Sequence, residues 1–299
     1  MHVVVTGANG HLGRVVVALL LAQGIEVSGV DKDVDRNVKI PQRKVDLCDL
    51  GQVFGALAGA DAVVHLGAIP SPARHPPEVV YTNNVIGQFN VFEAAAKLGI
   101  NRVVSASSVS AFGFPFQHRW SEPLYFPLDE AHPLLPQDAY GLSKANGEAI
   151  ADAYTRRTGG CAISLRISTV VDDTTVHTFL KLLQQNPDRW APLLWSYVHI
   201  DDVAQACLLA LNGPLEGHQV FHVTSNDTFA EQPTNELLDR WFPNVPRRHT
   251  AGEAYWSLVD GHRSAEVLGY LPRYRWAEAL GVSRPGEEHR RIEEQEKAL

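Results

Sequence analysis

A doubly wound α/β fold on a parallel sheet is predicted by three observations. Short, continuously apolar β-branched runs alternate with helical patterns through the first two thirds of the chain, and such strands need helices on both faces of the sheet. A glycine-rich turn directly follows the first of these runs and opens the first helix. No internal repeat or low-complexity linker interrupts the alternation.

The elements follow in order. Val3–Val5 is an apolar strand, and Leu12 to Gln23 is a helix stopped by Gly24. Glu26 to Val30 is a second strand running into the polar Asp31-Lys32-Asp33, and Lys44-Val45 leads into Asp46-Leu47. Ala62 to Leu66 is a further buried strand, Asn84 to Leu98 a helix closed by Gly99, and Arg102 to Ala106 a strand. Tyr140 to Thr158 is a helix closed by Gly159-Gly160, and Ala162 to Ile167 is the next strand. Ser196 to Leu211 reads as a strand entering a helix, and Val220–Val223 as a strand.

Beyond residue 168 the regularity weakens, which predicts a smaller lobe from 169–198 and 226–285 beside a main unit of 1–168 and 199–225. The almost wholly charged stretch within 286–299 is a solvated tail.

The chain has 299 residues, 45% hydrophobic and 20% charged, enough for a sizeable core and not a disordered composition. A net charge of −8 without a basic stripe argues against nucleic acid and anionic membrane as partners. The N-terminus shows no signal-peptide pattern, and no apolar run is long enough to span a bilayer. Cys48, Cys161 and Cys207 are scattered and odd in number, which fits buried thiols in a reducing cytoplasm. The histidines form no H-E-x-x-H pattern, and no metal is expected.

The turn reads Thr6-Gly7-Ala8-Asn9-Gly10-His11-Leu12-Gly13. Gly7 permits the tight turn, Gly10 lets the backbone approach a pyrophosphate, and Gly13 lets the helix pack on the strand. The helix N-terminus then offers free N–H groups to the phosphates. Asp31 closes the second strand about twenty residues further on, where a carboxylate accepts from the ribose hydroxyls and repels a 2′-phosphate. The expected cofactor is therefore NAD, although Lys32 and Arg36 soften the preference over NADP.

Tyr140 and Lys144 are four residues apart on one helix, so both side chains share a face. Upstream, Arg102 to Ala106 ends in Ser105-Ala106-Ser107-Ser108, at the edge where ligands bind in a doubly wound sheet. A serine that holds the substrate oxygen, a tyrosine that moves a proton and a lysine that lowers the tyrosine pKa form a working set.

These stretches, with "DLCD" at 46–49, "VVHLGA" at 63–68, "NNVIGQFNVFEAA" at 83–95, "SASSVSAFG" at 105–113, "YGLSK" at 140–144 and "YVHIDDVA" at 197–204, resemble the extended short-chain dehydrogenase/reductases. That group includes nucleotide-sugar epimerases and dehydratases. The resemblance implies a Rossmann-type domain with a smaller substrate-binding lobe. It implies that Asp46 and Leu47 border the adenine, that Leu66, Gly67 and Ala68 run along the dinucleotide, and that Asn84 supports them. Ala106 and Ile167, at the strand ends, join Gly7, Asn9, Gly10, His11, Leu12, Gly13 and Asp31 in the implied cofactor set. Phe112-Gly113, aligned with the family's Tyr-Gly, makes Ser108 the catalytic serine, with Ser107 its nearest competitor. Lys144 also holds the nicotinamide ribose.

Dehydratases of this kind carry an acidic pair where this chain has Ser108-Val109-Ser110, so dehydration is not expected. Epimerases carry an Arg-Tyr-Phe-Asn-like stretch where this chain reads Arg166-Ile167-Ser168-Thr169-Val170-Val171-Asp172-Asp173, two carboxylates standing where a diphosphate would approach. An NAD-dependent dehydrogenase of a sugar-like substrate is the leading expectation, a nucleotide-sugar epimerase the alternative, and an NAD-binding regulatory module a third. Ser107, Ser108, Thr169, Arg74 and Arg119 are the candidate substrate contacts. The interval 114–136 is either an ordered loop near the substrate or a structural loop packed on the second lobe. Helices 84–98 and 141–158, with Val85, Phe89 and Phe92 on one and Ala145, Ala149 and Ala153 on the other, are expected to pair with a second copy as a homodimer.

Overall fold

β1 (His2–Thr6) is an inner strand of a seven-stranded parallel sheet in the computed structural model, which describes residues 1–248 and 254–284. The chain continues through α1 (His11–Ala22), β2 (Glu26–Asp31), β3 (Gln42–Lys44), α2 (Leu50–Leu57), β4 (Ala62–His65), α3 (Pro77–Leu98) and β5 (Arg102–Ser108). A 3₁₀ turn at Val109–Phe112 and a long loop lead to α4 (Ala139–Thr158) and β6 (Cys161–Ile167). Then come β7 (Thr169–Val171), α5 (Thr175–Gln185), β8 (Tyr197–His199), α6 (Ile200–Asn212), β9 (His218–Val223), α7 (Thr234–Trp241) and α8 (Trp276–Ala279).

The strand order is β3-β2-β1-β4-β5-β6-β9, with every pairing parallel. The expected fold class is observed, and the direction of winding reverses between β1 and β4. Ligands of such sheets bind where the strands' carboxyl ends splay at that switch. Both faces are covered. Val16 and Leu20 of α1 and Val203 and Cys207 of α6 pack on one, and Val53 of α2, Phe92 of α3, and Ala151 and Tyr154 of α4 on the other.

A second core gathers Val171, Trp190, Trp195, Tyr197, Phe229 and Trp276. It also takes Phe112, Phe114, Phe126 and Leu128 from the interval between β5 and α4. The Phe126 N–H donates to Pro246 O at 2.9 Å, and the Leu128 N–H to Leu258 O at 2.8 Å. The smaller core thus draws on more sequence than 169–198 and 226–285, because this loop pairs with the C-terminal segments. Gly113 makes the path possible: its φ is +98°, and a Cβ there would lie 2.1 Å from Leu135 O.

Three other expectations change. Phe92, expected on an outer helix face, is buried and packs edge-on against Tyr154 with ring centres 5.3 Å apart. Cys48, expected to be buried, is exposed. The helix read from Asn84 begins at Pro77, where proline is compatible with a first turn. His218 and His222 have a spacing that would join two imidazoles on a helix. They lie on β9 instead, where four residues span roughly 13 Å. No helix among the described residues is long and apolar enough to cross a membrane. The expected tail at 286–299 lies outside the described residues.

Candidate active site

The glycine turn is held by backbone geometry. Gly7 has a φ of +69°, and a Cβ there would sit 2.8 Å from Gly67 N, so the turn and the β4 exit pass at van der Waals limits. A Cβ on Gly13 would meet Gly7 O at 2.0 Å. The first turn of α1 holds no acidic residue, so its N–H groups face the crevice without a built-in competitor.

Asp31 braces this turn from the end of β2. One carboxylate oxygen accepts the Asn9 N–H at 2.9 Å and the other the Lys32 N–H at 2.7 Å. Asn9 Nδ2 donates to Asp33 O and Gln42 Oε1, leaving its buried Oδ1 without a partner. The bare backbone, the oriented carboxylate and this spare acceptor fit a dinucleotide.

Across the switch, Asn84 grips the exit of β4. Its Oδ1 accepts the Ile69 N–H at 2.8 Å, and its Nδ2 donates to Ile69 O and Ser143 Oγ. Leu47 packs on Gly67 and Gly87, while Asp46 is exposed and accepts the Cys48 N–H. Leu66, Gly67 and Ala68 are half-buried along the crevice. Thr6 Oγ1 ties them to β1, accepting the Gly67 N–H at 3.2 Å and lying 2.7 Å from His65 Nδ1.

Tyr140 stands at the start of α4, whose N-cap Asp138 accepts the Tyr140 and Gly141 N–H groups. Gly141 is needed because a Cβ there would lie 2.5 Å from Ser110 O, just beyond β5. Tyr140, Ser108 and Lys144 are all buried, at 8%, 7% and 6% exposure. Phe116 meets the Tyr140 ring edge-on at 6.1 Å. Lys144 Nζ donates to Ala106 O at 2.7 Å.

The electrostatics differ from the expectation that Lys144 lowers the tyrosine pKa. Burial pushes the Tyr140 phenol up to about 12, against the lowering effect of the Ser108 hydroxyl, and Asp138 adds to the rise. Burial brings the Lys144 ammonium down to about 8, opposed by Glu148. Both shifts favour neutral forms. The ammonium spends a hydrogen bond on a backbone carbonyl, and the dry surroundings dominate. His65 nearby is held near 3 by burial and by Lys144, so its imidazole is neutral.

Ser107 and Ser108 are successive strand residues and point to opposite faces. Ser108 Oγ accepts the Ser110 N–H, capping the turn that leads toward the site. Ser107, expected as a substrate contact, is instead bound elsewhere: its hydroxyl donates to Glu148 Oε1 at 2.7 Å. Glu148 also receives Arg166 through Nε at 2.9 Å and an Nη at 2.8 Å, a buried two-pronged ion pair. The two lie 18 residues apart in the chain, on α4 and β6, and no local spacing pattern in the sequence marks them as a pair.

Ile167 pairs in register with Ser108, and Thr169 opens β7 just beyond it. Arg74 and Arg119 are exposed. Asp172 accepts from the Thr174 and Thr175 N–H groups and lies 2.6 Å from His11 Nε2. Those backbone bonds, then the Thr175 hydroxyl and His11, hold its carboxyl at about 2. No cluster of three metal-ligating side chains occurs among the described residues.

The profile of the NAD dependent epimerase/dehydratase family matches residues 3–223. The chain belongs to that family. Among similar proteins, a uronate dehydrogenase of Pseudomonas putida is 30% identical over 76% of this chain and 77% of its own. A UDP-glucose 4-epimerase of Corynebacterium glutamicum is 25% identical over 92% of each. In structure, a short-chain dehydrogenase/reductase superfamily protein from Agrobacterium tumefaciens with bound NAD superposes with a TM-score of 0.72. It is 23% identical, over 99% of this chain and 100% of its own. The protein is thus an NAD-dependent enzyme of the epimerase or dehydrogenase type.

Proposed function

We propose that the protein is an NAD-dependent dehydrogenase acting on a secondary alcohol or hemiacetal of a sugar-like molecule. The observation that carries this reading is the buried Tyr140–Ser108–Lys144 set at the carboxyl end of β5, beside the Gly7–Gly13 turn. NAD, when bound, supplies the hydride acceptor. It would lie on the N-terminus of α1, with Asp31 on the adenosine ribose and Leu66–Ala68 along its length.

Ser108 then holds the reacting oxygen through its hydroxyl, and the Tyr140 phenol oxygen takes the proton from the substrate hydroxyl. Lys144, braced on Ala106, holds the nicotinamide ribose and favours the phenolate when charged. Phe116, over the Tyr140 ring, helps exclude water. The 30% identity to a uronate dehydrogenase supports the reaction class.

A second reading, a nucleotide-sugar 4-epimerase, draws on relatives such as the Corynebacterium enzyme, matched over 92% of each chain. Incubation with NAD and a panel of sugars and sugar acids separates the two. The first reading expects NADH absorbance to grow; inversion of a UDP-sugar with no net NADH would replace it by the second. In either case we propose a homodimer through the outer faces of α3 and α4, where Ile86, Phe89 and Ala149 are exposed.

A further inference from the structure

We propose that His11 and Asp172 form a latch that holds the start of α5 across the mouth of the dinucleotide site and slows release of NAD(H). The inference rests on the reading that places NAD at the Gly7–Gly13 turn. His11 is the first residue of α1, so its ring stands at the helix end that faces a bound pyrophosphate. Asp172 directly follows β7, whose Val171 belongs to the second core. The 2.6 Å contact between His11 Nε2 and Asp172 Oδ2 therefore bridges the sheet and the smaller core at the rim of the cofactor crevice.

Asp172 is held rigidly for this purpose. Its Oδ1 accepts the Thr174 N–H at 2.9 Å, the Thr175 N–H at 2.6 Å and the Thr175 hydroxyl at 2.9 Å. That leaves Oδ2 free to reach across the crevice. The His11 side chain is 60% exposed, so the contact sits at the surface and opens without disrupting a core. A breakable closure suits an enzyme that discharges NADH at every turnover, where opening and product release set the rate.

The test is a double-mutant cycle on the full chain, with NADH release followed by fluorescence in a stopped-flow displacement. Asp172→Asn removes the charge but keeps an oxygen that caps the Thr174 and Thr175 N–H groups. His11→Gln is a substitution at an exposed position. Each should speed NADH release about three- to fivefold, the worth of one partly exposed hydrogen bond, and the double variant should be no faster than the faster single one. Release rates equal to wild type, or effects that multiply in the double variant, overturn the latch. Failure of the wild-type chain to bind NADH at all would instead overturn the cofactor placement beneath it, and the latch with it.

Discussion

Lys144 Nζ lies 5.6 Å from the centre of the Tyr140 ring while donating to Ala106 O at 2.7 Å. The pair shares a helix face one turn apart, yet both groups are drawn by burial toward their neutral forms, the phenol to about 12 and the amine to about 8. Burial thus moves both groups toward their neutral forms, and the pH behaviour of the pair follows from those two shifts.

In the proposed function, oxidation requires the phenolate of Tyr140, whose fraction grows with pH up to the phenol's own pKa. The kcat/KM for oxidation should rise between about pH 7 and pH 9, and that for the reverse reduction should not rise. Tyr140→Phe should lower turnover by about 10²- to 10⁴-fold while NADH binding, read by fluorescence titration, survives. A flat profile for oxidation, or an active Phe variant, removes Tyr140 from the proton path.

Lys144 yields a prediction about stability. Its folded pKa of about 8 lies below the ordinary 10.5, so between these values the unfolded chain binds more protons and stability rises with pH. Above about pH 10 the raised Tyr140 pKa opposes this, since the folded state then keeps a proton the unfolded state releases. Lys144→Met should be inactive yet more stable than wild type at neutral pH by about 1–2 kcal/mol, after the lost Ala106 contact is counted. The gap should narrow toward pH 10 in denaturant titrations. A gap independent of pH would mean that the buried ammonium is not its source.

Glu148 and Arg166 are 7% and 4% exposed and exchange two hydrogen bonds. Arg166→Met should cost about 3–5 kcal/mol, because it strips the buried Glu148 carboxylate of its two-pronged partner and leaves it the Ser107 hydroxyl as hydrogen-bond donor among the described residues. Urea unfolding checks this, and a loss below about 1 kcal/mol would show the carboxylate rehydrated or neutralised.

Asp31 braces Asn9, and the proposed cofactor placement sets it against the adenosine ribose. Asp31→Asn keeps an oxygen for the Asn9 N–H while removing the charge. NADP affinity relative to NAD should rise about tenfold or more in this variant, as judged by the two dissociation constants. An unchanged ratio assigns Asp31 to the turn alone.

Phe89, 47% exposed on α3, lies beside Ile86 and across from Ala149 and Ala153 of α4. Phe89→Glu should shift the protein from dimer to monomer in sedimentation velocity. A wild-type chain that sediments as a monomer at the same concentration refutes the pairing.

Much of this architecture was legible in the order of residues. The Gly7–Gly13 turn follows a strand and opens a helix, and each step is a local steric requirement that a short window displays. The Tyr140–Lys144 spacing is likewise local, since one helical turn suffices to align the two. Short apolar strands parted by helices dictated a parallel sheet, because only helices on both faces can bury them. What tertiary structure decided are relations between distant segments. Strand alternation and the position of Glu148 turn Ser107 away from Ser108. Pairing with residues 246 and 258 draws the loop after β5 into the second core. The path of the chain from β6 through β7 brings Asp172 to His11. Such contacts arise from how layers pack, and no local pattern encodes which surfaces will meet.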